Sequence, residues 1–389
     1  MSAHLAYRRF DAATWREPWP LYAELRDHDP VHRAPGGYFV LTRFDDVWAA
    51  ARDTATFSSA QGLTFRNERE ALDLAPTIVM MDPPEHTKYR RLVARGFVPR
   101  QVATIEPELR AHVRSCIEGL RTDGGGDLIE ALARPVPCWV VAHYLGVPEA
   151  DRSRFAAWTN ALVSAQASEA YASAADALGE LYGYFADLVE RRRREPGDDI
   201  VTDLLAARPD DTELSVAEIL GYAFVMVAGG NDTAIGLIGG SAELLTEYPA
   251  ERRRLIDDPG LVPNAVEELL RLTSPVQGLC RVATGDTEVR GTTIAEGERV
   301  LLCYGAANRD PREFGPTAEQ LDVARPVPRM LTFSSGPHFC LGAAAARLQG
   351  RVVLEELLAA CPDFTVDAER GRFAEGAFTR RYEYLPFTA

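Results

Sequence analysis

The chain has 389 residues, 46% of them hydrophobic, which is enough for one large fold with a deep core or for two smaller domains. A formal net charge of −15 argues against nucleic acid or an anionic membrane as partner for the surface as a whole. The six cysteines are widely spaced, with no C-x-x-C and no short Cys/His cluster, so zinc, iron–sulfur and disulfide frameworks are poor readings.

The opening segment MSAHLAYRRF lacks the charged-then-apolar order of a signal peptide, and no apolar run reaches the ~20 residues of a membrane span. A cytoplasmic protein is therefore expected. No repeat, linker or composition shift divides the chain, so residues 1–389 are read as a single domain, mainly α with small β-sheets. Its β-rich portions are expected near residues 30–60 and 275–305.

In chain order, the turn at Gly36 and Gly37 precedes a strand over residues 36–42. Asp82, Pro83 and Pro84 then open a helix, with Asp82 as its cap and the prolines in its first turn. On that helix His86 and Arg90 are four residues apart and share a face. Arg90, Arg91, Arg95 and Arg100 form a basic run in an acidic protein, expected to continue in Arg347 and Arg351 after the cysteine.

The most informative helix starts at Ser215, where Ser215 and Glu218 form a capping box, and runs to about Tyr248 before Pro249. Some thirty residues make a rod of roughly 45 Å. In its middle stand Gly229, Gly230, Asn231, Asp232 and Thr233. Adjacent glycines weaken a helix by about 1 kcal/mol each, and a carboxylate follows them in an apolar stretch. This favours a site: glycines admit a planar group, the Thr hydroxyl can bond a carbonyl one turn back, and an Asp beside a Thr offers a proton relay.

A helix over residues 264–272 carries Glu268 and Arg271 on one face, an unremarkable pair taken alone. An apolar strand over 275–279 precedes Arg281, and short strands are expected over 287–290 and 299–304. Finally Phe333, Gly336, His338, Cys340 and Gly342 lead into a strongly helix-forming run. Cys340 thus sits where unpaired N–H groups and the helix dipole favour a thiolate, Gly336 frees the loop, and Gly342 leaves room for something flat. The other five cysteines read as inert.

The spacing Phe333-x-x-Gly336-x-x-x-Cys340-x-Gly342 resembles the haem-binding loop of the cytochrome P-450 family. The sequence from Gly229 to Thr233 is similar to that family's central-helix motif, and Glu268-x-x-Arg271 to its Glu-x-x-Arg motif, all in the family order. The stretch from Ala307 to Pro311 also looks like one found in bacterial members. One departure is visible: bacterial members often carry a His shortly before the loop's Phe, where this chain has Arg329, Met330, Leu331 and Thr332.

The resemblance implies the cytochrome P-450 fold, about a dozen helices around a buried haem b, with Cys340 on the iron. It implies that His86, Arg90, Arg281 and His338 meet the haem propionates, that Phe333, Gly342 and Gly229 accommodate the haem, and that Asp232 and Thr233 guide protons. Glu268, Arg271 and Arg325 would serve folding of the haem side. The implied activity is a monooxygenase that uses O2 and oxidises a hydrophobic small molecule. Phe224, Ala228, Val276, Leu279, Phe378 and a mobile loop over 61–80 would line its pocket. No flavin or nicotinamide motif is found, so electrons are expected from a soluble ferredoxin and ferredoxin reductase, docking on the basic run. Two other readings are a haem sensor or carrier without turnover and a peroxide-driven peroxygenase; the Asp232 and Thr233 pair argues against both.

Overall fold

The two β-rich portions belong to one sheet. In the computed structural model, which describes residues 12–65, 77–168, 175–209, 212–376 and 378–389, Val31–Arg33 pairs antiparallel with Phe39–Leu41. Phe39–Leu41 runs parallel to Arg299–Leu302, which pairs antiparallel with Leu279–Ala283, and Phe57–Ser58 closes the edge. The inner strands are buried on both faces, with Phe39, Leu41, Val300 and Leu302 in an apolar cluster shared with the helix Phe44–Arg52. That explains their uninterrupted apolar reading in the sequence. Thr287–Val289 and Thr292–Ile294 form a separate hairpin.

The rest is mainly helical. The central helix spans Val216–Glu247 and is unbroken at Gly229 and Gly230. Its capping box forms as expected: Ser215 Oγ accepts from the Glu218 N–H at 3.2 Å, and Glu218 Oε2 accepts from the Ser215 N–H at 2.8 Å. This helix is long and apolar enough to cross a membrane by length and composition, contrary to the expectation that no such run exists. However, 61% of its most apolar window is buried within the fold, so it serves as a core helix.

Around it pack Pro135–Tyr144, Val262–Thr273 and the helix that follows Cys340, Ala343–Ala360. Two local expectations change. The residues after Pro275 are not strand until Leu279, so Arg281 lies inside a strand rather than after one. Asp82 does not cap the helix Glu85–Val93 with its side chain; its carboxylate accepts from Ser58 Oγ and, at 2.9 Å, from the Ser59 N–H, fastening the helix start to the sheet edge.

Candidate active site

Cys340 leaves a short 3-10 turn, Gly336–His338, and lies just before the helix Ala343–Ala360. Gly336 has φ +70°, and a Cβ there would meet Arg52 Cα at 2.9 Å, so both backbone strain and collision exclude a side chain. The Cys340 N–H donates to Phe333 O at 2.8 Å and closes the loop. Beneath it the buried Phe333 ring carries the Arg347 guanidinium 4.6 Å from its centroid, and Arg347 forks onto Glu267 at 2.6 and 2.9 Å.

Among the six free cysteines only Cys340 is exposed. Protein atoms still crowd its thiol enough that burial pushes the pKa up, outweighing the Gly342 N–H and the Arg90 and Arg347 charges that favour the anion. The helix start by itself therefore does not make the thiolate; coordination to a metal ion would. A Cβ on Gly342 would meet only Cys340 Sγ, at 3.9 Å, so the space beside the sulfur is open.

Four nitrogen-bearing side chains gather next to this loop. Arg90 donates to the carbonyls of Pro337 and Phe339, the His86 and His338 rings lie 4.2 Å apart, and the almost fully buried Arg281 donates to Cys280 O at 2.7 Å. Burial, with the Arg281, His86 and Arg90 charges, drives His338 down to about 3, and burial also lowers His86 and Arg90. Among the described residues none of the four is in an ion pair, and His86 Nδ1 and His338 Nε2 are buried without a hydrogen-bond partner. Such a cluster calls for an anion carrying several acceptor oxygens. An accessible sulfur, an open space at Gly342 and unsatisfied donors together fit a haem with its two propionates.

On the central helix the two glycines differ. A Cβ on Gly229 meets nothing within 4 Å, whereas one on Gly230 would meet Val141 Cγ2 at 2.8 Å. Gly229 therefore faces open space, and Gly230 lets the helix Pro135–Tyr144 approach. Thr233 is half-buried on the Gly229 side, its Oγ1 donating to Gly229 O at 2.9 Å. Asp232 does not share that surface. It is 5% exposed, and its Oδ1 lies 2.6 Å from Nε of Arg381, a partner the sequence gave no reason to choose. Burial raises its pKa to about 6 despite the Arg381 and Arg134 charges.

Glu268 and Arg271 are wholly buried, with Arg271 Nε 2.7 Å and Nη2 2.8 Å from the two carboxylate oxygens. Arg325 Nε adds a third contact to Glu268 at 3.0 Å, and Arg271 and Arg325 also donate to the carbonyls of Asn308, Ala318 and Phe314. Asn308, not singled out as a site residue, binds Ser274 Oγ, Thr332 Oγ1 and the Leu331 N–H, so it ties the Glu268 helix to the segment before the cysteine loop. Thr332 itself donates to Leu270 O at 2.8 Å, which shows how this chain satisfies the stretch where the resemblance departs.

Phe224, Ala228, Val276, Leu279 and Phe378 are all half-buried beside buried neighbours. Val276 bridges to Thr379, and Phe378 stacks on Phe65 at 4.9 Å, which meets Tyr38 at 4.4 Å. Of the loop over 61–80, Leu63 O accepts from the Cys280 N–H and Thr64 O from Arg299, which pins its start to the sheet. Ile78–Met80 is a 3-10 turn, and residues 66–76 lie outside the described residues. The basic run splits. Arg91, Arg95 and Arg100 are exposed with no ion pair among the described residues, beside Val98, itself 46% exposed. Arg347 and Arg351 are instead engaged by Glu267, Glu106 and Glu355 and do not extend it.

Comparison with known proteins agrees with this geometry. The family model described as Cytochrome P450 matches residues 256–370. The chain is 53% identical over 388 residues to Cytochrome P450 130 of Mycobacterium tuberculosis, covering 97% of this chain and 96% of that protein. It is 36% identical over 388 residues to the Vitamin D(3) 25-hydroxylase of Pseudonocardia autotrophica, covering 97% and 95% of the two chains. The solved structure of Mycobacterium marinum cytochrome P450 CYP268A2 in complex with pseudoionone superposes with a TM-score of 0.89 at 32% identity, covering all of both chains.

Proposed function

The chain belongs to the cytochrome P450 family of haem-thiolate monooxygenases, and from that premise we propose that it oxidises a hydrophobic small molecule held between the cysteine loop and the Gly229 side of the central helix. The carrying observation is the accessible Cys340 beside Arg90, Arg281, His86 and His338, which form no ion pair among the described residues and of which the two histidines each keep a buried ring nitrogen without a hydrogen-bond partner. Bound there, a haem supplies reductive activation of O2, one oxygen atom going to substrate and one to water. Cys340 would be its thiolate ligand. Arg90, Arg281, His86 and His338 would hold its propionates, with His86 Nδ1 and His338 Nε2 gaining the partners they lack.

Gly229 leaves open space on that side of the helix, and Thr233 holds a hydroxyl at its edge that can pass a proton inward, resupplied from Asp232. The half-buried apolar set of Phe224, Ala228, Val276, Leu279 and Phe378, with Phe65 and Tyr38, excludes water and receives an apolar substrate. The molecules named for two relatives, vitamin D(3) and pseudoionone, are of that kind. Glu268, Arg271 and Arg325 act on folding of the cysteine side rather than on chemistry. Electrons come in this reading from a soluble acidic ferredoxin, itself served by a ferredoxin reductase, docking at Arg91, Arg95 and Arg100 in the cytoplasm.

Thr233→Ala tests the relay. The variant is expected to keep its haem and consume O2, while the share of reducing equivalents recovered as hydrogen peroxide rises on the order of tenfold. An unchanged share would refute the role and favour a carrier or peroxide-driven protein.

A further inference from the structure

Asp232 and Thr233 are adjacent in sequence yet face different surroundings. Thr233 stands at the accessible side of the central helix, whereas Asp232 is turned into the core against the C-terminal strand region. We propose that Arg381 is a positioning residue, holding the Asp232 carboxylate on the buried side of the central helix and thereby controlling when it can hand a proton to the Thr233 hydroxyl. This rests on the monooxygenase reading of the site.

The placement of Arg381 is built rather than incidental. Its segment is fixed by the Val276 to Thr379 bridge and by the Arg380 N–H donating to Pro275 O at 2.8 Å. It passes so close to the central helix that a Cβ on Gly236, one turn beyond Asp232, would meet Arg380 O at 2.7 Å and Arg381 Cβ at 3.6 Å. Arg381 is itself 5% exposed, so its guanidinium has no bulk water to turn to.

The other charged groups of the elements packed there are otherwise engaged. Arg380 binds Trp15 O and Glu243, the Tyr382 hydroxyl donates to Glu243, and Arg271 is held by Glu268. Arg134, the second cation facing Asp232, forms an ion pair with the exposed Glu130. The Asp232 carboxyl is thus poised between two states, a buried ion pair with Arg381 and a neutral acid free to swing toward Thr233. In the hand-over Asp232 gives its O–H proton to the Thr233 oxygen as Thr233 releases its own, which leaves Asp232 as the carboxylate paired with Arg381. No electron moves in this exchange.

The test titrates the infrared carboxyl band that Asp232→Asn abolishes, a readout independent of turnover, in the holoenzyme and in Arg381→Gln and Arg381→Lys. The wild-type midpoint is expected at about 6. In Arg381→Gln it should rise by about 1 to 3 pH units, the effect of losing an adjacent opposite charge, with a smaller rise in Arg381→Lys. The pH profile of the peroxide share, measured with a ferredoxin, its reductase and NADPH, should move in the same direction. An unshifted band in folded Arg381→Gln overturns the proposal, and if that variant does not fold, an unshifted band in Arg381→Lys does so. A shifted band with an unshifted peroxide profile likewise overturns the link to Thr233. If Thr233→Ala is silent while the band still shifts, the relay reading fails and the hold of Arg381 on Asp232 stands.

Discussion

Burial holds the Asp232 carboxyl near pH 6, whereas the same group in an unfolded chain loses its proton near 3.8. Between those values the native state binds the extra proton, so folding stability must fall as pH rises through that window. About two pH units correspond to on the order of 3 kcal/mol. The difference in unfolding free energy between the protein and Asp232→Asn, measured by urea denaturation, should therefore decline by that order between pH 4 and pH 7. A flat difference would mean that Asp232 is not titrating in this environment. At this scale the sequence was legible where residue spacing fixes a local contact, as at Gly336, whose backbone is left-handed, and at the Glu268 and Arg271 pair. Arg381 was not legible, since a buried carboxylate demands a cation but nothing local says which one. Arg380 and Arg381 look alike in sequence, and only the strand path sends the first to Glu243 and the second to Asp232.

Within the central helix, Gly229 and Gly230 read alike but answer to different constraints. Replacing Gly229 by Ala meets no atom, removes a glycine cost of about 1 kcal/mol and places a methyl group in the open space on that side of the helix. Gly229→Ala is expected to melt at or above the wild-type temperature while binding apolar ligands more weakly in haem difference spectra. Gly230→Ala collides with Val141 and should melt lower. If the two variants behave alike, the assignment of faces is wrong. The start and end of this helix were legible because a capping box and a following proline are local signals. The strand near Arg281 was misplaced because Pro275, Val276 and Leu279 are apolar for two different reasons. Val276 stands half-buried beside the Phe378 segment, while Leu279 opens the sheet strand.

Across the whole molecule, the joining of early strands to late ones could not be seen from the sequence, because periodicity marks strands but not their partners. The same closure brings Arg52 against Gly336 and so braces the cysteine loop from the sheet side. Charge is also organised at this scale. In a chain of net charge −15, Arg91, Arg95 and Arg100 stay exposed with no ion pair among the described residues, while Arg347 and Arg351 are neutralised by carboxylates. Reversing Arg95 and Arg100 to Glu should raise the KM for a soluble acidic ferredoxin several-fold at low ionic strength, leave kcat unchanged and lose its effect as salt is added. An unaltered KM would place the donor elsewhere.

The account turns on Cys340 as a thiolate ligand of haem iron, and the carbon monoxide difference spectrum of the dithionite-reduced protein tests it most directly. The account predicts a strongly red-shifted Soret band that is absent in Cys340→Ala. An unshifted band in the wild-type protein, or no haem absorption after expression with ample haem, would contradict it.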